Sequence, residues 1–171
     1  MGRVEETVLE IYLDADGCPV KDETYRVARR YGLAVYVVAS RFLGVPHDPL
    51  IRPVAAGGRF DAADDWIAER VGEDDIAVTA DIPLAARCLE KGAWVLSPRG
   101  QDFTEETIGD ALASRALMDQ LRQMGMASGG PAPMGKADRS RYLSRLDEVI
   151  QAIKRNQKGW FSSGSCGSSR W

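Results

Sequence analysis

The sequence predicts an α/β domain organised on a parallel sheet, and three observations lead there. Strand-like and helix-like stretches alternate from Leu9 to Pro98. The strand-like stretches are short and nearly all apolar, as strands covered on both faces are. Asp, Pro and Gly punctuate the junctions between them. The expected architecture is a three-layer sandwich with five parallel strands in the order 3-2-1-4-5, followed by C-terminal helices.

Leu9 to Leu13 reads as the first strand, stopped by Asp14-Ala15-Asp16-Gly17. Cys18-Pro19 then opens a helix, since proline suits a first helical turn. Val20, Tyr25, Val27, Ala28 and Tyr31 make its apolar stripe, and Gly32 ends it. Leu33 to Ala39 is the second strand and the shorter Arg52-Pro53-Val54-Ala55 the third. A helix over Asp61 to Val71 leads to a fourth strand, Ile76 to Thr79, with Asp81 at its end. Pro83 starts the next helix, and Ala93 to Leu96 is the fifth strand, closed by Pro98. Thr104 to Arg122 is expected to be helical, with Ile108, Leu112, Leu117 and Leu121 on one side. Met124 to Lys136 reads as a loop, and Ser140 to Lys154 as a helix burying Tyr142, Leu143, Leu146, Val149, Ile150 and Ile153. Residues 1–158 thus form one domain, and Gly159 to Trp171 has the composition of a disordered tail.

A chain of 171 residues suits one domain with a full core. No apolar run approaches the roughly 20 residues of a membrane span, and Met1 to Glu10 carries acids where a signal peptide carries a basic and then apolar stretch, so the cytoplasm is the expected compartment. Cys18, Cys88 and Cys166 lack zinc or redox spacing and are expected to be reduced. With His47 the single histidine, a metal here would need oxygen ligands, which favours Mg²⁺ or Mn²⁺. Residues 1–110 hold 21 Asp and Glu against 12 Lys and Arg, whereas 111–171 hold 4 against 10. That asymmetry fits an acidic centre beside a basic surface able to approach phosphates, and equally a solvated basic helix docked on an acidic domain.

Ligands of parallel α/β sheets gather beyond the carboxyl ends of the strands. Asp14 and Asp16 follow the first strand and Asp81 the fourth, which the expected order makes neighbours. Carboxylates so close repel unless a cation lies between them or one takes up a proton. Asp61, Asp64 and Asp65 offer a further acid from one helical turn, with Asp61 alternatively a helix N-cap. Asp81 reads alternatively as a turn residue before Pro83. Arg99, after the fifth strand, is placed to clamp a phosphate or to pair with a helix acid. Cys18, at an expected helix N-terminus, has no histidine placed to make it a nucleophile.

Asp14-Ala15-Asp16-Gly17-Cys18-Pro19-Val20, Asp61-Ala62-Ala63-Asp64, Thr79-Ala80-Asp81-Ile82-Pro83-Leu84-Ala85 and Pro98-Arg99-Gly100 together resemble the YaiI/YqxD family, as do Gly129-Gly130-Pro131 and Asp138-Arg139. The resemblance covers about Ile11 to Ile153, with Gly17 standing where alanine is expected. It implies a PIN-like fold, the fold of Mg²⁺- or Mn²⁺-dependent nucleases, with RNA the favoured partner. It carries the first-strand acid over to Asp14 or Asp16, the fourth-strand acid to Asp81, and the middle acid to Asp61, Asp64 or Asp65.

Two other readings stand beside the nuclease. Leu13-Asp14-Ala15-Asp16-Gly17 resembles the opening motif of haloacid-dehalogenase phosphatases, with Asp14 as nucleophile, Asp16 as acid/base and Ser40 as a phosphate-binding hydroxyl. Against it, Cys18 replaces the expected threonine, and Lys91 lies far down its helix. A non-catalytic module whose acids bind an ion or a basic partner is the third reading. The oligomeric state is left open.

Overall fold

The computed structural model describes residues 9–16, 18–59, 61–125 and 134–162, the last six as helical backbone only. Eleven elements follow one another: β1 (Ile11–Asp14), α1 (Lys21–Tyr31), β2 (Val35–Ala39), β3 (Ile51–Ala55), α2 (Ala62–Arg70), β4 (Ile76–Val78), α3 (Ile82–Glu90), β5 (Trp94–Leu96), β6 (Asp102–Phe103), α4 (Glu105–Gln123) and α5 (Lys136–Ser162). The described strands form one mixed sheet in the order β3-β2-β1-β4-β5-β6. The first five are parallel, with Leu13 opposite both Val37 and Val78. Pro53 sits in β3, an edge strand, where a missing N–H costs least.

Alternation along the strands divides the core into two halves. Ile11, Leu13, Val35, Val37, Ile76, Val78 and Leu96 face α1 and α5, where Tyr25, Ala28, Tyr142, Leu146 and Ile150 meet them. Tyr12, Val38, Ala77 and Val95 face α2 and α3 through Ala63, Ile67, Leu84 and Cys88. This is the expected three-layer arrangement. Between the outer helices and the sheet, Thr24 and Tyr142 share a fully buried hydroxyl–hydroxyl hydrogen bond of 2.6 Å that ties α1 to α5.

Several expectations need correction. The sheet has six strands, not five, because β6 returns antiparallel to β5. A two-residue strand carries no readable periodicity; here the turn decides, with the Ser97 N–H donating to the Gln101 carbonyl and the Gly100 N–H to the Ser97 carbonyl. Helix α1 starts at Lys21 rather than at Cys18-Pro19, which lie in a turn where the Cys18 N–H donates to the Ala15 carbonyl. The stripe expected along α4 meets the core only at Ile108, which packs partly buried against the α2–α3 side; no residue of that helix is fully buried, and Leu112 and Leu117 are exposed. The buried stripe of α5 is as expected, but its backbone is helical from Lys136 to Ser162, into the stretch assigned to the tail. Residues 126–133, most of the expected loop and its Gly129-Gly130-Pro131, and residues 163–171 lie outside the described residues.

Gly100 shows why the Pro98-Arg99-Gly100 turn is built as it is. Its φ is +86°, and a Cβ there would stand 2.9 Å from the backbone of Arg141 and Tyr142 in α5. The turn therefore docks on the C-terminal helix at a distance only glycine allows. Gly100→Ala is expected to lower unfolding stability by about 2–4 kcal/mol, combining strain with displacement of α5. Gly109, inside α4 with nothing within 4 Å of its virtual Cβ, is the control. Gly109→Ala should raise stability by about 0.5–1 kcal/mol. Urea unfolding of both variants checks the contrast.

Candidate functional site

At the carboxyl edge of the sheet, the ends of β1, β2 and β4 and the first turns of α2 and α3 enclose an open cavity of about 440 Å³. Its walls carry Asp14, Asp16, Asp61, Asp64 and Asp81, together with Ser40, Cys18 and Arg115. The acids thus come from three separate stretches of chain, gathered because β1 and β4 are neighbours and α2 begins beside them.

Thr79 is the hinge of this arrangement. Buried just past β4, its hydroxyl donates to Asp14 Oδ2 at 2.7 Å and accepts the Asp81 N–H at 2.9 Å. One side chain therefore orients both strand-end acids. Asp81 is the N-cap of α3, its Oδ1 accepting the Leu84 N–H at 2.9 Å, with Pro83 in the first turn. Asp16 Oδ2 accepts the Ser40 N–H at 3.0 Å, joining the β1 and β2 ends. Among the described residues Asp64 makes neither a hydrogen bond nor an ion pair, and its carboxylate is held only by its position on α2.

Packing acids this closely raises the cost of ionising them. Burial pushes Asp14 up, the Thr79 hydroxyl partly offsets this, and the charges of Asp81 and Asp16 add to it. Asp64 is pushed up to about 6, first by burial and then by Asp81, Asp14 and Asp61. The cavity is a place where negative charge is in excess and a proton or a cation relieves it.

The expected site residues separate accordingly. Asp14, Asp16, Asp61, Asp64, Asp81 and Ser40 share the cavity. Asp61 stands at the N-cap position of α2 without making a side-chain cap bond. Asp65 is not among the lining residues: it is turned into a double ion pair, 2.9 Å from Arg59 and 3.0 Å from Arg87. Arg99 takes the helix-acid alternative, pairing with Asp138 at 2.9 Å, and is not a cavity-lining residue. Burial of Cys18 raises its thiol pKa, against any nucleophilic role, and His47 is not part of the cavity. Nothing in the sequence points to Arg115, which reaches the cavity from α4 only because that helix packs against α3.

The donor chemistry, carboxylate and hydroxyl oxygen without nitrogen or accessible sulfur, fits a hard divalent cation. As the side chains stand, no three His, Cys, Asp or Glu residues among those described converge on a single ion position. Among the described residues no helix is long and apolar enough to cross a membrane.

Comparison with known proteins places the chain, not any particular residue, in a family. A family model described as "Uncharacterized BCR, YaiI/YqxD family" matches residues 12–152, which hold every cavity acid. The chain belongs to the YaiI/YqxD family. Its relatives include UPF0178 proteins of Bradyrhizobium sp. (strain ORS 278), 56% identical over 90% of this chain and 93% of that protein, and of Rhodospirillum centenum (strain ATCC 51521 / SW), 55% identical over 88% and 100%. Another, from Rhodopseudomonas palustris (strain BisB18), is 56% identical over 86% and 96%. No solved structure matches this YaiI/YqxD-family chain.

Two measurements probe the electrostatics. Asp64 has a raised pKa in the folded state, so its contribution to stability is complete below the ordinary carboxylate pKa and is lost as pH rises through about 6. In metal-free buffer, Asp64→Asn should stabilise the protein at about pH 8 by about 1 kcal/mol, a figure discounted for solvent screening, and do little at about pH 4. Melting curves at the two pH values test this; an equal gain at both would show that charge is not the cause. Thr79→Val leaves Asp14 Oδ2 and the Asp81 N–H without their partner and should cost about 1–3 kcal/mol in urea unfolding.

Proposed function

We propose that this YaiI/YqxD-family chain is a divalent-metal-dependent phosphodiesterase of PIN-like fold that hydrolyses RNA. The observation that carries the reading is the convergence of five aspartates from three stretches of chain on one open cavity at the β1–β4 edge. The order β3-β2-β1-β4-β5 within the sheet supports the PIN-like assignment.

Asp14, Asp16, Asp64 and Asp81 would hold Mg²⁺ or Mn²⁺, with Asp61 beside them. Such an ion supplies Lewis-acid stabilisation of charge on the phosphodiester and acidifies water at the site. The chain's own groups do the positioning. Thr79 fixes Asp14 and the backbone of Asp81 against each other, and the α3 cap holds the Asp81 side chain, so the two strand-end acids need little reorganisation. Asp64, with a pKa near 6, exchanges a proton close to neutral pH and gives it up when a cation offsets the neighbouring charges. The open mouth of the cavity suits a polymer better than an enclosed small molecule.

The phosphatase reading loses support at its lysine. Lys91 Nζ is spent on the Ala68 carbonyl at 2.6 Å, and no lysine is among the residues lining the cavity.

Because the carboxylates must be ionised to hold a cation, the Mn²⁺-induced rise in melting temperature should grow between about pH 5.5 and about pH 7.5. Asp81→Asn keeps an N-cap acceptor while removing a charge. It should leave the metal-free protein as stable as before or more so, shrink the Mn²⁺ response, and lower hydrolysis of a labelled RNA at least about 100-fold. Asp81→Ala should in addition cost about 1 kcal/mol through the lost cap. Release of p-nitrophenol from its phosphate with no RNA cleavage would replace this reading by the phosphatase. A Mn²⁺ response without turnover of either would leave a metal-binding module.

A further inference from the structure

We propose that the cavity takes single-stranded RNA, with a base stacked on Phe42 and a backbone phosphate held by Arg115; the inference rests on the phosphodiesterase reading and extends it to how the substrate is gripped. Phe42 is 69% exposed, the largest exposure of any large hydrophobic residue described. It lies two residues beyond Ser40, a cavity-lining residue, so their Cα atoms are at most about 7.6 Å apart. The segment that carries it is not loose, since Leu43 and Val45 both pack against the core. Phe42 does not itself line the cavity; it presents an open aromatic face on a held segment at the cavity's β2 side.

Arg115 approaches from the other side. It lines the cavity from α4, which packs on α3 and β6, whereas Ser40 and Phe42 follow β2. The carboxylates at the β1 and β4 ends therefore lie between them. Ten of the fifteen described arginines are held in ion pairs; Arg115, which lines the cavity, and Arg41, the neighbour of Phe42, are among the five that are in none. A free phosphate cannot reach from β2 to α4 across the acids. An oligonucleotide can, offering a base to one side and a phosphate to the other. The ring selects single strands, because a base must be unstacked before an aromatic side chain can take its face.

The test measures fluorescence anisotropy of a labelled single-stranded RNA of about 12 nucleotides. It uses the full-length protein in Ca²⁺, with the RNA recovered intact afterwards, and a duplex of the same sequence as competitor. Phe42→Ala is expected to weaken single-strand binding about tenfold without changing its salt dependence, and Phe42→Trp to restore it. Arg115→Ala is expected to weaken binding and to reduce the slope of log Kd against log salt by about 0.7, the share of one phosphate on a single strand. Both residues are exposed, so melting temperatures should stay within about 2 °C of the parent. The duplex should compete at least about tenfold less well.

Unchanged affinity in Phe42→Ala, an unchanged salt slope in Arg115→Ala, equal competition by duplex, or no binding by the parent protein would each overturn the proposal. The two readings fail separately. Binding that depends on Phe42 and Arg115 with no cleavage in Mn²⁺ sinks the phosphodiesterase and leaves the grip. Cleavage indifferent to both residues sinks the grip alone.

Discussion

The hydroxyl of Thr79 stands between two carboxyl-bearing residues that electrostatics would drive apart, donating a hydrogen bond to Asp14 and accepting one from the backbone N–H of Asp81. Those two contacts exist because β1 and β4 are parallel neighbours, which places the residues just after each strand side by side. The cavity follows from that adjacency, and so does the part of the rise in the Asp14 pKa that Asp81 adds to the larger effect of burial. Its cost is like charge in a half-buried site. The Ser40 N–H on Asp16 and the cap on Asp81 use one oxygen of each acid, while Asp64 has no such partner and is pushed up to about 6 by burial and then by the neighbouring charges. Structure and strain thus have a common source, and relief of that strain is what the site has to offer a ligand.

Much of the fold was legible because burial on both faces writes itself into short apolar strands, and because Asp, Pro and Gly mark where helices start and end. Leu33 to Ala39 is unmistakable in this sense, and so is the stripe from Tyr142 to Ile153. The failures have physical reasons too. The strand β6 is defined by a turn and a partner rather than by its own residues. Beyond Ile108, the apolar residues Leu112 and Leu117 of α4 have helical spacing but are exposed, since spacing shows that a side exists and not what covers it. The helix start at Lys21 reflects the turn closed between Ala15 and Cys18, which displaces Pro19 from the first helical turn.

The site was half legible. Carboxylates at strand ends are visible once strand order is assumed, and Asp14, Asp16 and Asp81 are brought together as that logic requires. Which acid of α2 joins them was not readable. Asp64 and Asp65 are adjacent in sequence but point about 100° apart around a helix, and Asp65 is held on its side by Arg59, just before α2, and by Arg87 of α3. Arg99 shows the same limit: its partner Asp138 lies far along the sequence. Local pattern assigns a residue to an edge, whereas long-range pairing decides which way it points.

The contact of Gly100 with α5 bears on the order in which the protein comes into being. All five cavity acids lie before residue 82, yet the sheet face under Ile11, Leu13 and Val37 is completed by Tyr142, Leu146 and Ile150. During synthesis the acids emerge long before the helix that closes the opposite side of the sheet. A nascent chain halted after β5 carries all five cavity carboxylates, with α1 on this face of the sheet but without the α5 side chains that complete it. The support beneath the carboxylates is therefore encoded well after them: α5 completes the sheet face opposite α2 and α3 only once some sixty residues beyond Asp81 have been made.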